Sequence, residues 1–236
     1  MFFYNFQYIY LLIPAFILTL YAQSKVNSTF ARYSRVRSTS GLTGAEAAQE
    51  LMHRAGIYDV RIERVRGNLT DHYDPAHKVL RLSDSVYSST SLAAIGVAAH
   101  ETGHAVQHSV GYAPLGLRSA MVPLTNISSR LAMPLIFLGV IFGSSRGSDF
   151  GYMFIQCGII LFAMAVLFSI VTLPVEFNAS ARAVKMLGNY GILSKDELKP
   201  VKQVLSAAAL TYVAAALSAI MSLLRLILIF GRRNDR

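Results

Sequence analysis

From Gly151 to Leu173 the chain runs for 23 residues without a charged side chain. A helix of that length crosses the hydrocarbon core of a bilayer, about 30 Å thick. Lipid offers no partners to backbone N–H and C=O groups, so a stretch of this kind is a helix or does not span at all. Three other stretches share its character. Met1 to Gln23 carries no charge, and Ala120 to Phe142 is interrupted by Pro123, Asn126, Arg130 and Pro134. Ala207 to Phe230 is broken by Arg225. Such a chain is a multi-pass membrane protein.

Composition agrees. Hydrophobic residues make up 53% of the sequence and charged ones only 15%, against about 25% charged in a soluble domain. That excludes intrinsic disorder and argues against a cytosolic globule. The charge gathers in two segments: 10 Lys+Arg and 8 Asp+Glu in residues 23–113, and 5 and 3 in residues 174–202. The net charge of +9 is not a nucleic-acid signature, because no basic patch interleaves with aromatics. It follows instead from the bias of positive residues to the cytoplasmic ends of membrane helices. The single cysteine, Cys157, rules out a disulfide framework and a cysteine-based zinc site.

Residues 1–23 lack the basic start of a cleaved signal peptide and read as a retained anchor. Lys25, Arg32, Arg35 and Arg37 place its C-terminal side in the cytoplasm. Residues 24–113 are then a cytoplasmic portion, 119–173 a transmembrane hairpin, 174–202 a second cytoplasmic segment, and 203–236 a last membrane helix with its tail. Because the hairpin crosses twice, the two polar segments share one face. Arg232, Arg233 and Arg236 fall on the opposite side, against the charge bias.

Within 24–113, residues 24–42 read as a Ser/Arg/Thr-rich linker. Thr43 to Glu46 fits a capping box ahead of a helix that Gly56 stops. Residues 57–66 and 78–82 read as strands separated by turn chemistry around Asp71 to Pro75. Thr90 or Ser91 caps a helix running to about His108. The expected fold is mainly α: several transmembrane helices and a small α+β cytoplasmic portion that carries this last helix.

That helix contains His100-Glu101-Thr102-Gly103-His104, an H-E-x-x-H motif. Residues four apart share a helix face, so both imidazoles reach one Zn²⁺. Glu101 beside them can take a proton from a metal-bound water, whose pKa zinc lowers to about 7. Buried histidines bonded only to protein would be costly on a helix otherwise built of Ala, Val, Ile and Leu. A catalytic zinc needs a third protein ligand and one open position. His108, one turn further along, and Glu176, just past the third span, are the candidates. Pro174 suits the first turn of a new helix that would present Glu176. His72 and Asp71 read as turn formers. Lys78 to Leu82 is either a sheet edge open to an extended substrate or a strand that completes the sheet.

These residues resemble those of the YugP-type family of bacterial membrane zinc metallopeptidases. The resemblance covers most of the chain: Ser40 to Ala45, Leu69 to Pro75, Lys78 to Ser83, Ala98 to Gln107 (AAHETGHAVQ) and Leu173 to Ala183 (LPVEFNASARA). In the wider group of membrane gluzincins a glutamate on a later helix is the third ligand, which implies Glu176. Relatives often carry an aspartate four residues further on, where this chain has Ser180. The group orienting a ligand histidine is then expected elsewhere, from Asn178 or the 68–74 turn.

The expected function is a zinc-dependent endopeptidase of the bacterial plasma membrane, cutting proteins or peptides, membrane proteins among them, at the cytoplasmic face. His100, His104 and Glu176 hold the metal and Glu101 is the general base. The rival is a non-catalytic scaffold or partner subunit with a structural zinc, closed by His108 or His72 as fourth ligand.

Overall fold

The computed structural model describes residues 8–143 and 149–231. The first residues of the anchor, most of the hairpin loop and the arginines of the C-terminal tail lie outside them. Seven helices and three strands follow in the order α1 (Leu12–Tyr33), α2 (Gly44–Arg54), β1 (Arg61–Val65), β2 (His72–Asp74), β3 (Val79–Ser83), α3 (Asp84–Tyr87), α4 (Leu92–Ser109), α5 (Ala113–Gly143), α6 (Asp149–Asn189) and α7 (Lys195–Phe230). The protein is mainly helical, and among the described residues four helices are long and apolar enough to cross a membrane: those of α1, α5, α6 and α7.

Two compact units emerge. One comprises Met1–Tyr21, Leu117–Leu173 and Tyr212–Arg236. Many of its large apolar side chains face outward, Phe16, Ile17, Phe137 and Ile160 all being exposed by 60% or more, as lipid-facing residues are. Within it α5 and α6 approach at glycines: a Cβ on Gly158 would sit 2.8 Å from the carbonyl oxygen of Ala132, and one on Gly139 would sit 2.7 Å from that of Gly151. Small residues let membrane helices pack backbone to backbone.

The other unit comprises Ala22–Gly116 and Pro174–Thr211. Its core joins Leu51 of α2, Leu80 and Leu82 of β3, and Ile95 and Ala98 of α4 to Leu187 of α6 and Val201 of α7. Thr43 caps α2 as the sequence predicts, with its side chain accepting from the Glu46 N–H and the Glu46 carboxylate accepting from the Thr43 N–H. The sheet has the order β1-β3-β2, with β1 parallel and β2 antiparallel to β3. β3 is therefore the central strand. Of the two readings of Lys78 to Leu82, the strand that completes the sheet is the one the structure has, and the open edge for substrate is overturned by partners on both sides.

Three helix ends differ from expectation. α1 does not yield to a linker at residue 24 but continues to Tyr33. Tyr33 is buried beside Ala93 and Val204, and its hydroxyl donates to Gln203 Oε1 at 2.7 Å. Pro174 does not begin a new helix. It lies inside α6, which runs unbroken for 41 residues. That is about twice the roughly 20 residues a span requires, and α6 contributes to both units, its residues up to Leu173 to one and those from Pro174 to the other. Likewise α7 begins at Lys195 and contains Pro200. The segment 174–202 thus consists of the end of α6, a short turn and the start of α7, whereas in 24–113 only the residues up to Tyr33 continue a long helix.

Candidate metal centre

α4 starts where Ser91 accepts a hydrogen bond from the Ala94 N–H at 3.2 Å. Most of its length is buried, Glu101 and His104 included. A helix surrounded on all sides by protein carries polar groups only if each has a partner or a task. His100 and His104 stand one turn apart, their rings edge to face with centroids 4.8 Å apart.

Glu176 arrives from α6 and is 2% exposed. Its Oε2 lies 3.2 Å from His100 Nε2 and 3.5 Å from His104 Nε2. Among the described residues these three form the one group able to hold a metal ion, with one ligand atom from each lying within 4.8 Å of the others. Ligand atoms at the corners of a tetrahedral zinc site with bonds of 2.0–2.1 Å stand about 3.4 Å apart. The two contacts from Glu176 bracket that spacing. Two imidazole nitrogens and a carboxylate oxygen are also one of the donor sets of catalytic zinc. The residues present fit the ion.

Gly103, inside the motif, allows this convergence. A Cβ there would meet the carbonyl oxygen of Ala179 on α6 at 2.6 Å and its Cα at 3.2 Å. Only hydrogen at that position lets the backbone of α6 come near enough to deliver Glu176.

The other ring nitrogens are also engaged. His100 Nδ1 lies 3.1 Å from Ser180 Oγ, and His104 Nδ1 lies 2.9 Å from Gln107 Oε1. So Ser180 itself orients His100, and Gln107 orients His104. Asn178 stands one step behind, bonded to Gln107. Residues 68–74, expected as a turn, carry strand β2 at His72–Asp74 and are not among the partners of these rings. Gln107 escaped the sequence reading, although its position three residues after His104 puts it on the same helical face.

The side chain of Glu101 makes no hydrogen bond among the described residues, and its carboxylate acts on His104 by charge alone. Burial works against a charge on His104, but the Glu176 carboxylate, joined by Glu101, outweighs it and raises the imidazole pKa.

The remaining candidates lie elsewhere. His108 Nδ1 is held at 2.8 Å by the hydroxyl of Tyr73. Burial, and next the charges of Asp59 and Asp74, push the Tyr73 phenol up to about 12, so it stays protonated beside His108. His72 Nδ1 lies 3.0 Å from the carbonyl oxygen of Thr70. The carboxylate of Asp71 accepts from Ser83 N–H and Oγ at 2.7 and 2.8 Å. It ties the turn to the end of β3, and its burial raises its pKa.

With the geometry in place, comparison with known proteins gives the family. The model of a family described as "Putative neutral zinc metallopeptidase" matches residues 8–231. The chain belongs to this family. Zn²⁺ is therefore the cofactor of the protein. The chain is also 50% identical, over 97% of its length and 98% of the relative's, to "Putative membrane protease YugP" of Bacillus subtilis (strain 168). No solved structure matches it.

Proposed function

We propose that this family member is a zinc-dependent endopeptidase of the bacterial plasma membrane. His100, His104 and Glu176 hold the metal, and the site faces the cytoplasm. One observation carries the reading: two histidines of an H-E-x-x-H helix and a carboxylate from another helix converge at the spacing of a zinc coordination shell. Three protein ligands leave the fourth position open, as catalysis requires. The structural-zinc rival needs His108 or His72 as well, and those rings are engaged by Tyr73 and Thr70.

Bound zinc supplies Lewis acidity toward water and toward the scissile carbonyl. The chain supplies the rest. The Glu101 carboxylate, buried and without a hydrogen-bond partner among the described residues, takes the proton of the attacking water and returns it to the leaving amine. His100 and His104 stay oriented by Ser180 and Gln107. Substrates are proteins or peptides reaching the membrane surface, membrane proteins among them; the Bacillus subtilis relative, named as a membrane protease, supports peptide hydrolysis at a membrane. On α6, Glu176 lies three residues beyond the last residue of the apolar run, about 4.5 Å along the axis. Lys25, Arg32, Arg35 and Arg37 after the first span favour the cytoplasm for that end.

The test is Glu101→Gln. It should retain zinc, and peptide profiling of cells expressing the variant should show loss of cleavage by a factor of about 100 or more. Full cleavage with zinc bound would show that another group is the base.

A further inference from the structure

We propose that Gln107 is a positioning residue that fixes the tautomer of His104, placing the ring proton on Nδ1 and a free lone pair on Nε2. The proposal rests on the reading above, in which Nε2 is the metal-binding atom.

An isolated carboxamide can be turned either way, and a neutral imidazole can carry its proton on either nitrogen. Here two groups of fixed character remove both freedoms. The backbone carbonyl of Val175 can only accept, and Gln107 Nε2 lies 2.8 Å from it. The guanidinium of Arg182 can only donate, and its Nε lies 2.7 Å from Asn178 Oδ1. That oxygen is thereby identified as the acceptor end of Asn178, and it also lies 3.0 Å from Gln107 Nε2. Both amide protons of Gln107 are committed. Its Oε1 has only acceptance left to offer, so the His104 Nδ1 facing it must carry the proton. Gln107 is fully buried, which excludes water as a substitute partner. Arg182 is held in turn 5.9 Å from the centroid of the Tyr112 ring.

His100 lacks such a lock. The Ser180 hydroxyl can rotate to donate or accept, so it follows the ring rather than instructing it. The lock on His104 also has a particular placement. Its acceptors, Val175 and Asn178, flank Glu176 on α6. The helix segment that delivers the carboxylate also sets the amide, and hence the tautomer of a ligand on another helix. If that segment drew away from α4, Gln107 would lose both acceptors. It could then turn its NH₂ toward Nδ1 and drive the proton to Nε2, where it blocks coordination.

Full-length protein in detergent provides the test. Gln107→Met removes both the donation to Val175 and Asn178 and the acceptor for Nδ1–H, whereas Gln107→Glu keeps an oxygen for Nδ1–H and can donate at most one hydrogen bond, when protonated. Zinc affinity is measured by competition with a chromophoric chelator, with helix content followed by circular dichroism. The Met variant should lose about 10- to 100-fold in affinity, and the Glu variant should recover most of that loss. Met binding like wild type would overturn the proposal. So would equal weakness of both variants, since Gln107 would then only fasten α6. A second measurement does not depend on the variants folding. In zinc-loaded wild type labelled with ¹⁵N-histidine, the proton of His104 should sit on Nδ1, and a proton on Nε2 overturns the assignment. Failure of the underlying reading looks different: wild type that binds no zinc, or His104→Ala that binds as tightly as wild type, removes the zinc site and this proposal together.

Discussion

Gly103→Ala is the substitution that most directly probes how the site is assembled. In an ordinary helix interior the change favours folding by about 1 kcal/mol, because alanine has the higher helix propensity. At this position the new Cβ meets the carbonyl oxygen of Ala179 at 2.6 Å, where an ordinary contact begins near 3.4 Å. The obstacle is backbone, which no rotamer change can move aside. α4 and α6 must therefore separate locally by about 0.8 Å, the difference between those two distances. Overpacking of this kind costs about 1–3 kcal/mol, so the propensity gain is cancelled and a net loss of up to about 2 kcal/mol remains. For a chain of this size each kcal/mol moves the melting temperature by about 2–4 °C.

The larger effect falls on the metal. Glu176 lies on the helix that is pushed away, and Zn–ligand bonds tolerate only about 0.2 Å of misplacement. Zinc affinity should drop more than tenfold while the three ligands remain in the sequence. Calorimetry and chelator competition on the purified protein read both quantities. Gly116→Ala is the control, since a Cβ there meets nothing within 4 Å and should leave zinc binding unchanged. If Gly103→Ala binds zinc as tightly as wild type and melts no lower, the contact between α4 and α6 does not set the site, and the reasoning fails.

Other outcomes follow from single residues. Asp74 accepts from Arg81 at 2.9 Å and from His77 at 2.8 Å; Arg81 first, and His77 next, hold its pKa below the usual carboxylate range. A carboxyl whose folded pKa is depressed stabilises above its unfolded value of about 3.9, and the gain fades as pH falls toward the folded value. Melting temperatures of wild type and Asp74→Asn should therefore differ near neutral pH and converge on acidification below about pH 4; a constant gap would refute the ion-pair account. Ser180→Ala removes the hydroxyl 3.1 Å from His100 Nδ1. It should weaken zinc by about tenfold, measured by the same competition, with helix content unchanged.

Much of this was legible in the sequence because its signals are local. The Thr43 capping box, the Ser91 cap and both longer strands are set by residues within a few positions of each other. The four membrane-length stretches also declared themselves. Helix ends at the membrane boundary did not. A change from apolar to polar side chains after Gln23 and Leu173 looks like the end of an element, but the backbone continues wherever one side of the helix still finds a core. On α6 that side is Val175, Ala179, Ala183 and Leu187, four residues apart and all fully buried. Their packing carries the helix past Pro174, which the local rules treat as a start. The motif on α4 was visible because its spacing is four. Gln107 was not, because its acceptors lie 68 and 71 positions away.

The stripe on α6 has a thermodynamic consequence. By filling the core it fixes the rotation of α6, and it thereby aims Glu176 and Ser180, also four apart, at opposite nitrogens of the His100 ring. His100 and His104 repeat the same interval on α4. The site is thus a property of one helix–helix contact, and an ion bound there binds the folded state alone. Linkage then requires zinc to stabilise the fold: at 100 times its dissociation constant by about 2.7 kcal/mol. At about 2–4 °C per kcal/mol that raises the melting temperature by roughly 5–11 °C. Chelator should reverse the shift. His104→Ala should abolish it, whereas Glu101→Gln should retain it, because Glu101 lies outside the group of ligand atoms. A zinc-dependent shift that survives in His104→Ala would place the ion at some other site.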